Sequence, residues 1–300
     1  MIQTYSLTQS HPPHSIINTT CLMILRKWYH LLFPGDIDRI KSNLNTWSTA
    51  ISIKLGLDVD KGEFLPCFGF VDGTAREIER PGGPSVNQQS VYDGHHRFHG
   101  FEYQAVTSPD GIVISLFGPV PGRVNDIWMV HKSKLQELIE HEFPYEGGEG
   151  EEPRHYYVYA DQGYMSSPFV LSGVRQPDEI QARMNRAWSD QRVSVEWTIG
   201  EIIALWQSLD CFRMQKAQQR LVAVWYLVSV LLTNCYTCMT RKSQASQHFG
   251  VLPPNLHEYL VPSSKKFKKW MDRYHPDDVR MFGDDDPNWG LDHPRYPPDI

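Results

Sequence analysis

Along this chain, short apolar runs that stop at acids alternate with longer stretches of three-to-four-residue period. The run CFGFVDGT at 67–74 is apolar without alternation up to Asp72, then turns polar at Gly73 and Thr74. A strand covered on both faces need not alternate, so this reads as a buried strand ending on an acid, with Gly73 allowing a sharp turn. Residues 101–106 and 112–119 read as two more strands. Ser108-Pro109-Asp110-Gly111 joins them, and its Asp-Gly step is a hairpin signal. HYYVYA at 155–160 reads as a fourth strand and again stops on an acid, Asp161, followed shortly by Gly163.

Helical periods fill the rest. Leu22, Leu25, Trp28 and Leu32 recur at three, three and four, and a second helix follows Pro34-Gly35 with Asp36 as its N-cap. Residues 126–141 carry Ile127, Val130, Leu135, Leu138 and Ile139 at helical spacing. Between 178 and 209, Val195, Ile199, Ile202 and Trp206 define one buried face, with Glu196 beside it. Residues 217–241 form a long apolar helix, whereas 77–91 and 147–153 read as loops. Strand, hairpin, helix, strand and then helices predicts an α/β domain with a mixed sheet. The expected organisation is a disordered 1–20, a helical N-terminal segment over 21–60, the main domain over 61–260 and a flexible tail over 261–300.

Composition narrows the function classes. With 41% hydrophobic and 21% charged residues, the 300-residue chain is of ordinary globular type. Its net charge of −6 argues against efficient duplex binding by the chain alone, because non-specific affinity comes from Lys and Arg neutralising phosphates. Five scattered cysteines make no disulfide framework and point to a reducing compartment. Cys235 and Cys238 form a C-x-x-C inside an apolar run and read as core cysteines rather than a zinc or redox pair. The N-terminus shows no signal-peptide pattern. LVAVWYLVSVLLTNCYTCM at 221–239 is long enough to span a bilayer, but Ser229, Thr233, Asn234 and Thr237 dilute it, so a buried helix is the preferred reading.

The acids carry the candidate chemistry. Asp72 and Asp161 end strands and Glu196 lies on a helix, an arrangement suited to two-metal phosphoryl chemistry, since Mg²⁺ prefers oxygen ligands. Two such ions about 4 Å apart activate a nucleophile and stabilise the leaving oxygen. Each acid also has a structural reading: Asp72 capping a turn, Asp161 opening an Asx-turn, Glu196 pairing with Arg192 at i−4. His95, Arg97 and His99 alternate and would share one face of an extended segment, as phosphate contacts or as a solvated edge. Lys265, Lys266, Lys268 and Lys269 around Phe267 and Trp270 form a basic cluster in the tail, a nuclear-import or DNA-backbone patch or a solvated tail.

The wording around the acids adds a family. FGFVDGT, then VYDGHHRFHGFEYQAVTSPDGIVISLFGPVPGRVND, YADQGY, RVSVEWTIGEI and PPNLHEYL, in that order over 67–260, resemble the PIF/Harbinger-type transposases of the DDE endonuclease superfamily. The resemblance implies an RNase H-like fold for 61–260 and catalytic acids at Asp72, Asp161 and Glu196. Asp72 would bridge two Mg²⁺ or Mn²⁺ ions and the other two acids would each help hold one. It also implies a further metal ligand at Asp126, although Asn125 stands where the family usually has His.

The resemblance implies DNA as substrate, at element ends and target, a separate DNA-binding partner protein, a nuclear location and a possible homo-oligomer. The leading expectation is therefore a metal-dependent DNA endonuclease and strand transferase. The alternatives are a domesticated, inactive interaction or regulatory protein, and a nuclease of the same fold acting on RNA or hybrid strands.

Overall fold

A computed structural model describes residues 13–82, 85–145, 154–216 and 221–261. Two helices open it, α1 (Pro13–Trp28) and α2 (Ile37–Lys54), and the Asp36 carboxylate caps α2 by accepting from the Arg39 amide, as expected. Next come β1 (Cys67–Glu77), α3 (Ser85–Ser90), β2 (Tyr92–Asp93), β3 (Phe98–Thr107), β4 (Val113–Pro121), α4 (Asp126–Lys132) and α5 (Leu135–Glu142). The remainder is β5 (Pro144–Tyr145), β6 (Arg154–His155), β7 (Tyr157–Ala160), β8 (Val170–Ser172), α6 (Glu179–Leu205), α7 (Val222–Thr240), α8 (Gln244–Phe249) and α9 (Leu256–Leu260).

The main sheet runs β4-β3-β1-β7-β8, with the short β2 added at the start of β3. β4, β3 and β1 pair antiparallel, whereas β1, β7 and β8 pair parallel. Helices flank this mixed sheet, which is the RNase H-like arrangement. The β3–β4 turn forms as the Asp-Gly step predicts: Gly111 takes φ 81°, and Asp110 accepts from the Ser108 hydroxyl at 2.5 Å and the Ile112 amide at 3.3 Å.

Each face of the sheet has its own apolar layer. Phe68, Val71, Phe101 and Leu116 share one cluster with Leu25, Leu32, Ile40 and Trp47 of the N-terminal segment and with Leu227 and Leu231 of α7. On the opposite face, Phe70, Tyr157 and Tyr159 pack against Trp188 and Val195 of α6 and Phe249 of α8. α7 is long and apolar enough to cross a membrane, but 67% of its apolar window is buried inside the protein. Its polar residues have structural partners. Asn234, 1% exposed, accepts from the Val113 amide at 3.0 Å and donates to the Val113 carbonyl and the Tyr259 hydroxyl, both at 2.9 Å. Those bonds and one from the Leu116 amide to the Leu32 carbonyl cover the outer edge of β4, which would otherwise present unpaired backbone groups.

Several element boundaries differ from the sequence reading. β1 does not stop at Asp72. It continues to Glu77 because β3 keeps pairing with it, Gly73 opposite Gln104 and Thr74 opposite Tyr103. The loop at 77–91 contains α3. The single helix over 126–141 is two, broken where Lys134 adopts φ 53° and the Ser133 hydroxyl accepts from Gln104 at 3.0 Å and donates to the Val130 carbonyl at 3.1 Å. HYYVYA splits at Tyr156, with His155 paired to Pro144 and 157–160 entering the main sheet. α1 begins at Pro13, inside the stretch expected to be disordered, while residues 1–12 and the basic cluster at 265–270 lie outside the described residues.

Candidate active site

β1 and β7 run parallel, and their pairing ends at Phe70 opposite Tyr159. Asp72 follows Phe70 by two residues and Asp161 follows Tyr159 by two, so equal offsets along neighbouring strands bring the acids side by side. The period of two places both on the face that carries Phe70 and Tyr159, the face α6 covers. Trp188 fixes α6 there: its indole stacks on the Tyr159 ring with centroids 4.5 Å apart and 9° between the planes. Asp178 and Gln181 cap the start of α6 reciprocally. Val195 is fully buried under α6, and its neighbour Glu196 leans to the rim with its side chain 49% exposed.

Arg192 lies one turn before Glu196. Its Nη2 donates to Glu196 Oε1 at 2.5 Å, the i−4 pair the sequence allows, and its Nη1 donates to Asp72 Oδ2 at 2.9 Å. One guanidinium therefore ties α6 to β1 and joins two of the acids. The second of these bonds has no signature in the sequence, because it spans 120 residues.

Asp126 opens α4 after Asn125, whose Oδ1 caps the helix by accepting from the Trp128 amide at 2.8 Å. A Cβ on Gly73 would stand 2.6 Å from Asp126 Oδ1 and 3.7 Å from the Tyr164 hydroxyl. The bare glycine thus leaves room for the Asp126 carboxylate to close against β1 at the residue after Asp72, on the side to which a Gly73 side chain would point. The Tyr164 hydroxyl, buried and otherwise without a hydrogen-bond partner, faces that carboxylate; sequence reasoning did not single it out. Asp161 turns its Oδ1 to the Gly163 amide at 2.8 Å, the Asx-turn geometry that was its structural reading.

The acids interact through their fields. Burial pushes Asp72 up to about 6, with Asp161 and Glu196 adding to the rise and Arg192 opposing it. Asp126 is raised as well, by burial and then by Asp161, against the Tyr164 hydroxyl and the His96 and His95 rings. An all-oxygen donor set, in which the Asp161 and Glu196 carboxylates raise Asp72 and the Asp161 carboxylate raises Asp126, suits a hard divalent cation of the Mg²⁺ or Mn²⁺ kind. Arg192 supplies one positive charge between Asp72 and Glu196, so its guanidinium must move aside before both carboxylates can face such a cation.

The alternating histidine segment is not extended. Residues 94–97 form a turn, Arg97 sits in the left-handed region at φ 63°, and of His95, Arg97 and His99 only His99 lies in β3. The turn instead gathers Asp93, His96 and Glu102, one donor atom from each lying within 4.8 Å of the others. Burial pushes Glu102 up to about 8, and the Asp93 carboxylate adds to the rise. Cys235 and Cys238, raised by burial to about 11 and about 12, are protonated core thiols, as expected.

A family model for the DDE superfamily endonuclease matches residues 71–234, more than half of the chain and the span from just before Asp72 to well past Glu196. No curated protein and no solved structure matches the chain significantly. On that match the chain belongs to the DDE superfamily endonucleases, a family of transposase-type nucleases.

Proposed function

We propose that this chain is a divalent-metal-dependent DNA endonuclease and strand transferase working by two-metal phosphoryl transfer, with Asp72, Asp161 and Glu196 as its catalytic acids. The observation that carries the reading is the equal offset of Asp72 and Asp161 beyond the Phe70–Tyr159 pair, under a helix that brings Glu196 to the same rim. Asp72, Asp126, Asp161 and Glu196 would hold the cations. Bound there, the ions would lower the pKa of an attacking water or 3′-hydroxyl and stabilise the leaving oxygen.

The chain's own residues supply orientation. Trp188 and Val195 hold α6 so that Glu196 overhangs the strand ends. Tyr164 steadies Asp126, and Gly73 leaves the room that Asp126 occupies. Arg192, freed from its carboxylates, carries a charge that suits a DNA phosphate. The Harbinger-type subfamily, the nuclear location, the separate DNA-binding partner, a homo-oligomeric state and the 61–260 domain boundary are part of the same proposal. The net charge of −6 supports the partner, since the chain has few spare cations with which to hold DNA.

Arg192 favours a second reading, in which the acids serve only to lock α6 onto the sheet of a domesticated, inactive protein. Nicking of supercoiled plasmid or terminal-repeat DNA with Mg²⁺ or Mn²⁺ separates the two. The proposal expects cleavage by wild type that Asp72→Ala and Asp161→Ala abolish. No cleavage by a folded wild type, with or without a DNA-binding partner, supports the inactive reading. Cleavage of RNA or hybrid strands alone would reassign the substrate.

A further inference from the structure

Beside the four acids, the tight turn after β2 builds a second cluster of cation-ligating groups. Asp93 pairs with Phe98 across the β2–β3 ladder, and the Arg97 amide donates to the Asp93 carbonyl at 2.9 Å, closing the turn. Asp93 Oδ1 accepts from the amides of His95 at 2.7 Å and His96 at 3.0 Å, and its Oδ2 contacts His96 Nδ1. Gly122 lets the turn seat closely, since a Cβ there would stand 3.3 Å from Asp93 Cβ and 3.0 Å from the Val91 carbonyl. Glu102 comes from β3, between Ala75 of β1 and Val120 of β4, so its carboxyl rises from the middle of the sheet under the turn.

Asp93 is 4% exposed and Glu102 8%. Among the described residues no Lys or Arg forms an ion pair with either carboxylate, and Glu102 makes no hydrogen bond to any group outside the cluster. Arg76, whose field reaches Glu102, gives its Nη2 to the Thr74 hydroxyl at 2.8 Å instead. Two acids buried against each other without a fixed cation repel one another unless a proton or a metal ion lies between them. The remaining donor, His96, is on the exposed side, where its ring can rotate. Ligands around a zinc-sized ion stand roughly 3 Å or more apart, given bonds of about 2 Å, so rotating that ring away from Asp93 Oδ2 admits the ion.

We propose that Asp93, His96 and Glu102 form a transition-metal site of the zinc–manganese class, separate from the acids Asp72, Asp161 and Glu196. One imidazole nitrogen and two carboxylate oxygens match that class, whereas Mg²⁺ prefers oxygen alone. Three protein ligands leave a position for water or for a phosphate oxygen. Asp126 feels the fields of both His96 and Asp161, so an ion here would pin the His95–Arg97 turn next to the proposed nuclease centre. The site stands on its own geometry and does not depend on the nuclease reading.

Titration with Co²⁺, followed by its visible absorption, and with Zn²⁺, followed by calorimetry, tests this on the whole chain. The variants are Asp72→Ala/Asp161→Ala, His96→Ala and Glu102→Gln, each checked for fold by circular dichroism. Glu102→Gln keeps the shape and removes the charge, so its folding should survive. The expected result is one equivalent retained by Asp72→Ala/Asp161→Ala, the same site being present in wild type in addition to any ions held by the four acids. Affinity should be at least tenfold weaker in His96→Ala and Glu102→Gln, and equimolar Mg²⁺ should not compete. The proposal falls if wild type binds neither ion, or if binding vanishes in Asp72→Ala/Asp161→Ala while surviving in the other two. Equal competition by Mg²⁺ overturns it too.

Discussion

Replacing Asp72 with asparagine should make the protein more stable while removing the nuclease activity proposed for it. Asp72 has a side chain only 19% exposed, and its pKa rises from an ordinary 3.8 to about 6. An acid held more tightly protonated in the folded state binds extra protons between those two values. Folding stability therefore falls as pH rises from about 4 to about 6, and the loss is complete above that. At about 1.4 kcal/mol per pH unit, the ionised carboxylate costs the folded state about 3 kcal/mol at pH 7. The attraction of Arg192 is already contained in that figure.

Asp72→Asn removes the charge at nearly constant volume. For a domain of roughly 150–250 residues each kcal/mol moves the melting point by about 2–4 °C, so a rise of about 6–12 °C is expected at pH 7. Thermal unfolding with divalent cations chelated, repeated from pH 4 to pH 7.5, is the assay. The advantage of the variant should shrink towards zero near pH 4. A variant that melts below wild type at pH 7 would overturn this expectation. So would a difference that does not change with pH, which would mean that the Arg192 pairs dominate the site.

Three other substitutions probe the scaffold. Gly73→Ala drives a methyl to 2.6 Å from Asp126 Oδ1, and should lower plasmid nicking at least tenfold while destabilising by about 1–3 kcal/mol in denaturant unfolding. Trp188→Ala removes the Tyr159 stack that seats α6 and should cost about 3–5 kcal/mol, read from the urea midpoint. Asn234→Ala leaves the Val113 amide and carbonyl unpaired in the core and should cost about 3 kcal/mol, with the denaturant slope unchanged if only stability has moved.

The fold class and most of the elements were legible in the amino-acid pattern, because short-range physics governs them. Unbroken apolar runs specify covered strands, Asp110-Gly111 specifies the turn between β3 and β4, and Asp36 specifies the start of α2. It also marked Asp72, Asp126, Asp161 and Glu196 as acids at element ends or beside a buried face. What it could not supply was anything set by a partner distant in the chain. β1 runs on past Asp72 because β3 pairs with it, and the helix at 126–141 breaks where Ser133 meets Gln104. Arg192 reaches Asp72 across the fold, and Asp93 comes to lie over Glu102. The alternating His95, Arg97 and His99 look like one face of a strand only until the chain turns at Arg97, a left-handed position that local pattern does not announce. Period and composition report which face of an element is buried, whereas register and packing decide which charges meet there, since a contact's energy depends on distance in space rather than on separation along the chain.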